Sequence, residues 1–242
     1  MAKDISKTGR ASVVTSTSGD IQAFLKTAQT SRAIGGGRGG LVFALDATMS
    51  RQQTWDRAQH LQAQMFDAVK AAGGLDVQLA YFRGFRECRA SRWVSDADAL
   101  RSLMTKIECQ GGQTQIGRVF AHVRKEAAKR NPANPQRSRV DALVYVGDAM
   151  EEDVDALCQT AGELGLLGVP CFMFQEGNDP QAERAFREFA RLTKGAYINF
   201  GAASAARLAE LLKAVARYAS GGQAALAASG GREDAVLLEQ LK

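Results

Sequence analysis

The chain has 242 residues, of which 45% are hydrophobic and 24% charged, a balance that suits one sizeable globular domain and excludes a disordered polymer. The formal charge of +5 comes from Lys and Arg mostly interleaved with Asp and Glu, which argues against nucleic acid as the main partner. Cys88, Cys109, Cys158 and Cys171 lie far apart, form no C-x-x-C pair and have only His60 and His122 to join them, so neither a zinc site nor a disulfide framework is expected.

Reduced thiols, no signal-peptide pattern and no run of roughly 20 apolar residues together suggest a cytoplasmic protein without a membrane span. Residues 1–19 read as a flexible polar tail. In residues 20–40, Asp20 caps an expected short helix bearing Ile21, Phe24, Leu25 and Ala28, and the run Gly35, Gly36, Gly37, Arg38, Gly39, Gly40 reads as a linker. No Lys-Ser/Thr follows the glycines and a strand comes next, so a phosphate loop is disfavoured.

Residues 41–219 read as a single α/β domain. The apolar run LVFAL is followed by an amphipathic stretch with Ala58, Leu61, Met65, Ala68 and Ala72 on one face, which predicts a strand and then a helix. Residues 77–82 predict a second strand, with a hairpin partner at 88–94. Helices are expected around Leu100 to Ile107 and from Ile116 to Ala127, and the basic stretch 124–139 is expected to be a solvated loop. Strands at 142–146, 169–174 and near AYINF then alternate with helices at 154–164, 182–192 and 208–219. Continuous apolar strands separated by helices imply a doubly wound, mostly parallel six-stranded sheet, with one antiparallel edge strand and helices on both faces. Residues 220–242 form a small-residue tail with one short amphipathic segment that either docks or frays.

In such sheets, ligands gather outside the carboxyl ends of the strands. The first strand ends in DATMS, which sets Asp46, Thr48 and Ser50 at alternating positions of the turn. The strand ALVYV ends in Gly147-Asp148, and Thr114 precedes a helix after Gly111-Gly112. Two carboxylates and three hydroxyls make a hard oxygen site suited to Mg²⁺ or Mn²⁺ rather than zinc or copper. Read alone, DATMS is better explained as a helix cap, and it is the joint pattern that favours a metal site.

The order D-x-T-x-S, then G-x-T before a helix, then an Asp after an apolar strand resembles the metal-ion-dependent adhesion site of von Willebrand factor A domains. The resemblance covers about residues 41–219 and implies strand order 3-2-1-4-5-6 with the third strand antiparallel. It also implies metal ligation by Asp46, Thr48, Ser50, Thr114 and Asp148, with the acidic side chain of a protein partner completing the metal's coordination. Thr48 stands where the family usually has Ser, and Gly147-Asp148-Ala149 where it often has T/S-D-G. The intracellular bacterial members that the chain resembles often act as adaptors for AAA+ ATPases or other assemblies.

Arg83, Arg86, Glu176 and Asp179 are expected at the same rim as partner-selecting charges, whereas Glu151, Glu152 and Asp153 read as the acidic start of a helix. Trp55 and His122 fall off the apolar stripes of their helices, and His122 reads as a surface residue. Two rival readings stay open. Asp46 also resembles the nucleophile of haloacid-dehalogenase-like Mg²⁺-dependent phosphohydrolases, although Thr48 replaces their second Asp and no lysine motif is evident. The basic loop and Gly35 to Gly40 leave RNA or nucleotide binding as a generic alternative.

Overall fold

Strand β1 (Gly39–Asp46) is buried along its whole length, as expected for a central strand covered on both faces. The computed structural model describes residues 38–52, 75–131, 134–200 and 205–241. The expected N-terminal tail, the short helix at 20–28 and the helix bearing Ala58 to Ala72, with Trp55 and His60, lie outside the described residues.

After β1 come a one-turn 3₁₀ segment (Met49–Arg51), β2 (Leu75–Arg83), β3 (Glu87–Ala90), α1 (Ala97–Met104) and α2 (Ile116–Ala127). A two-stranded ribbon, β4 (Arg130–Asn131) and β5 (Asn134–Ser138), replaces the expected basic loop. Then follow β6 (Ala142–Gly147), α3 (Val154–Leu166), β7 (Cys171–Glu176), α4 (Pro180–Thr193), β8 (Ala196–Phe200), α5 (Ala205–Ser229) and α6 (Arg232–Gln240). The main sheet has the order β3-β2-β1-β6-β7-β8, with only β3 antiparallel. Once the ribbon is set aside, this is the strand order the sequence suggested.

Side-chain alternation divides β1 between two cores. Leu41, Phe43 and Leu45 face a layer containing α1, α5 and α6, while Val42 and Ala44 face α2, α3 and α4. On the second face, edge-to-face rings at 5.3 Å join Tyr145 to Phe186 and Phe120 to Phe189. Asp96, Asp153 and Asp179 cap α1, α3 and α4 through their carboxylates, which fixes where each helix starts.

Two expectations change at the ends of the domain. Gly39 and Gly40 are sheet residues rather than linker: a Cβ on Gly40 would lie 1.8 Å from the Arg139 carbonyl oxygen, so the close approach of these segments requires glycine there. The tail after residue 219 packs onto the domain. Helix α5 runs on to Ser229 across a break at Gly222 (φ 67°, ψ −162°), and Leu226, Leu237 and Leu241 are buried in the α1/α5 core. Asp234 is held by Arg217 at 2.7 Å, and the Gln240 side chain accepts the Tyr197 amide of edge strand β8 at 2.9 Å.

Candidate metal centre

Because β1 sits between β2 and β6, its carboxyl end is the switch point of the sheet, where open α/β sheets form their ligand crevice. Asp46 ends β1 and is fully buried. The Thr48 amide donates to Asp46 Oδ1 at 2.8 Å, and the Thr48 and Ser50 hydroxyls lie 3.0 Å apart. Thr48 is nearly buried whereas Ser50 and Met49 are exposed, so this side of the site grades from core to solvent within one turn. Burial pushes the Asp46 carboxyl from an ordinary 3.8 up to about 6, opposed by hydrogen bonds from Thr48; the nearby Asp148 carboxylate raises it further and Arg51 lowers it.

Thr114 lies in the loop before α2. The Gln110 amide donates to the Ala47 carbonyl at 3.0 Å, and the Gln113 amide to Gly84 at 3.2 Å, so the loop before α2 lies against the turns after β1 and β2. The Glu151 amide donates to the Thr114 hydroxyl at 3.0 Å, and Glu151 Oε2 accepts the Thr114 amide at 2.9 Å. Glu152 accepts the first amides of α2, from Ile116 and Gly117, which supplies the cap that Gln115 does not. Burial raises the Glu152 carboxyl, and its hydrogen bonds from Gly117, Ile116 and Thr114 work against that rise. Glu151 and Glu152 therefore serve the neighbouring helix α2 rather than their own. Asp153 alone among them caps α3.

Asp148 follows β6 and couples electrostatically to Asp46. The residue before it also explains the departure from T/S-D-G: a Cβ on Gly147 would stand 2.6 Å from the Tyr145 hydroxyl. Among the described residues, Asp46 Oδ2, Asp148 Oδ1 and the Tyr145 hydroxyl are buried without a hydrogen-bond partner. Burial raises the Tyr145 phenol well above its ordinary range, with Asp46, Glu152 and Asp148 adding to the shift.

Arg51, which the sequence reading did not single out, is the largest fully buried side chain. It pairs with Glu176 at 2.9 Å and donates to the Val146 carbonyl at 3.2 Å. Nothing in the local sequence signals this, because the partner comes from the far end of β7.

The expected partner-selecting charges divide. Glu176 is held by Arg51, and Asp179 caps α4 by accepting the Ala182 amide at 2.6 Å, so both are committed to internal partners. Arg83 pairs with Glu87 at 3.0 Å, whereas Arg86 is exposed in the β2–β3 turn at this rim. Met49, 54% exposed, and Phe85, 73% exposed, place apolar surface beside the crevice that the sequence reading also missed. His122 is half-buried, with Nε2 2.8 Å from Gln78 Oε1, rather than a plain surface residue.

Of the oxygens expected to hold a cation, the structure sets the Thr48 hydroxyl beside that of Ser50 and its amide on Asp46, brings Asp148 into electrostatic reach of Asp46, and holds the Thr114 hydroxyl against the Glu151 amide. Among the described residues no group of three or more His, Cys, Asp or Glu side chains is arranged for metal.

The chain has the von Willebrand factor A fold. A von Willebrand factor type A protein from Catenulispora acidiphila superposes with a TM-score of 0.59 at 13% identity, over 76% of this chain and 43% of that one. The SpRpn10 VWA domain gives 0.52 at 11% identity, over 68% of this chain and 88% of that domain. Proximal thread matrix protein 1 from the mussel byssus gives 0.56 at 13% identity, over 75% and 47%. This chain thus spans less than half the length of the Catenulispora and mussel proteins. No protein-family model and no curated protein matches it. Among the described residues no helix is long and apolar enough to cross a membrane.

Proposed function

We propose that this protein is a divalent-cation-dependent protein-interaction module in which Asp46, Thr48, Ser50, Thr114 and Asp148 hold Mg²⁺ or Mn²⁺. The observation that carries the reading is the pair of buried carboxylate oxygens, Asp46 Oδ2 and Asp148 Oδ1, that lack a hydrogen-bond partner among the described residues. Such oxygens are costly to bury unpaired, and a hard cation satisfies both. Arg51 is already paired with Glu176, so it does not neutralise both Asp46 and Asp148. A bound cation supplies a Lewis-acidic position that a partner carboxylate can fill.

The chain's own residues do the rest. Thr48 orients Asp46, the reciprocal Thr114–Glu151 hydrogen bonds hold the second loop, and Arg51 fixes the base of the β1 turn. Exposed Met49 and Phe85 offer apolar contact to a partner beside the charged centre. The free thiols of all four cysteines support a cytoplasmic setting, and we place the protein there as an adaptor within a multiprotein assembly, an AAA+ ATPase complex being one candidate.

Titration calorimetry with Mg²⁺ and Mn²⁺ on the full chain tests the centre. Saturable binding that is lost in Asp46→Asn supports it, and equal heats from both proteins would sink it. Turnover of a phosphate ester abolished by Asp46→Asn would instead favour a phosphohydrolase.

A further inference from the structure

Strand β3 ends the sheet, and among the described residues its only neighbour in the ladder is β2. The Ser91 amide donates to the Leu79 carbonyl at 2.8 Å, and the register pairs Arg89 with Tyr81 and Glu87 with Arg83. In an antiparallel ladder, residues bonded to the partner strand alternate with residues whose amide and carbonyl point away from it. Cys88 and Ala90 therefore present their backbone groups outward at the sheet edge. Their side chains line a cleft of about 300 Å³ between β3 and α2, with Val119 and His122 on the helix side. Behind it, Gln78 joins His122 to the Ser91 carbonyl, donating to the latter at 2.8 Å, so this wall is braced by buried polar contacts.

The charges around this edge share one sign. Arg86, Arg89, Arg92 and Arg118 are all exposed there, and Arg118 is held to the hairpin turn by donating to the Arg86 carbonyl at 2.6 Å. The one acid on the strand, Glu87, is already engaged by Arg83 and Arg89. An unpaired strand edge is a template for another strand, and flanking positive charge decides which strand it accepts. A second copy would bring the same arginines into opposition. The sequence of residues 1–37 is itself net positive, with Lys3, Lys7, Arg10, Lys26 and Arg32 against Asp4 and Asp20, and so does not match the charge this edge selects.

We infer that the β3 edge and its cleft against α2 bind an extended acidic segment of a partner protein, which adds a strand beside Cys88 to Ala90 and sets carboxylate side chains beside Arg118 on the cleft face. Backbone pairing supplies affinity, and alternate side chains entering the cleft supply the preference for acids. This goes beyond the metal-rim reading and does not depend on it, because no residue of the proposed metal set lines the cleft.

The test uses the full chain in EDTA and a fluorescein-labelled peptide that alternates Glu with Val, followed by anisotropy. Saturable binding is expected. It should weaken about tenfold in Arg118→Glu and again when Lys replaces Glu in the peptide. Ala90→Pro removes one outward amide and should weaken binding by a similar factor. Because that variant risks misfolding, the same contact is also probed from the other side, with peptides N-methylated at either alternate set of residues. One of the two sets should abolish binding. No saturation by about millimolar peptide, no effect of Arg118→Glu, or full tolerance of both methylated sets would overturn the inference. Binding seen in Mg²⁺ but absent in EDTA would assign the peptide to the metal rim, and displacement by an RNA oligonucleotide at matched charge would make the edge a general polyanion surface; either result also overturns it.

Discussion

Arg51 and Glu176 meet at 2.9 Å with the guanidinium side chain fully buried and the carboxylate 12% exposed, which ties the turn carrying the proposed metal ligands to the end of β7. A buried ion deprived of its partner costs more than the pair contributes. Glu176→Gln should therefore lower stability by about 2–4 kcal/mol, seen as a lower urea midpoint at an unchanged slope. Arg51→Met should cost less, because it leaves the more accessible of the two groups behind. The reverse ranking would contradict burial of the guanidinium.

Asp46→Asn should act in opposite directions with and without metal. In chelator, wild type carries a fully buried carboxylate with Oδ2 unpartnered among the described residues, and removing the charge relieves its desolvation. The variant should then be more stable by about 1–3 kcal/mol at neutral pH. With Mg²⁺ at about 100-fold over its Kd, wild type should gain about 2.7 kcal/mol and the variant nothing. Parallel melting curves in EDTA and in Mg²⁺ read both effects, and a variant that Mg²⁺ stabilises as much as wild type would remove Asp46 from the ligand set.

Much of this was legible because it depends on local pattern. LVFAL and ALVYV are apolar on both faces and could only be central strands, and D-x-T-x-S with Asp148 marked the two strand ends that meet at the crevice. What the sequence hid depends on distant partners. Gly39 and Gly40 read as linker because the Ala219 and Arg139 carbonyls that crowd them come from elsewhere in the chain. Arg51 did not stand out in the sequence because Glu176, which permits its burial, comes from the end of β7. Glu151 and Glu152 read as the acidic start of α3, since nothing local reveals that α2 needs its amides capped from another loop. Whether the tail after residue 219 docks or frays was left open, because Gly222 interrupts the helical pattern without ending the packing.

His122 should titrate low. Burial disfavours its charged form, and Lys129 and Lys125 add to that, against an upward pull from Glu126. The folded protein thus binds this proton less readily than the unfolded chain. The neutral ring's contribution to stability is complete above the unfolded value of about 6.5 and declines as pH falls below it. The stability advantage of wild type over His122→Gln should accordingly shrink between about pH 7 and 5. An NMR titration of the ring, assigned by that variant, checks the direction, and a midpoint above the ordinary histidine value would refute it.

The α5–α6 hairpin should open as a unit when Asp234 is lost. Its carboxylate is 1% exposed and accepts from Arg217 at 2.7 and 2.9 Å and from the Ser229 hydroxyl at 2.7 Å, so it joins both sides of the turn. Arg217 is 28% exposed, and water can resolvate it once the acid is gone. The expected cost of Asp234→Ala is thus about 1.5–3 kcal/mol rather than that of a stranded buried cation. Because Leu226, Leu237 and Leu241 bury their side chains without adding a strand to the sheet, that loss should fall on local opening. Amide exchange should quicken in α6 and in the part of α5 beyond Gly222 while β1 and β6 keep their protection. Equal acceleration across the sheet would mean instead that the hairpin and the central strands unfold as one cooperative body.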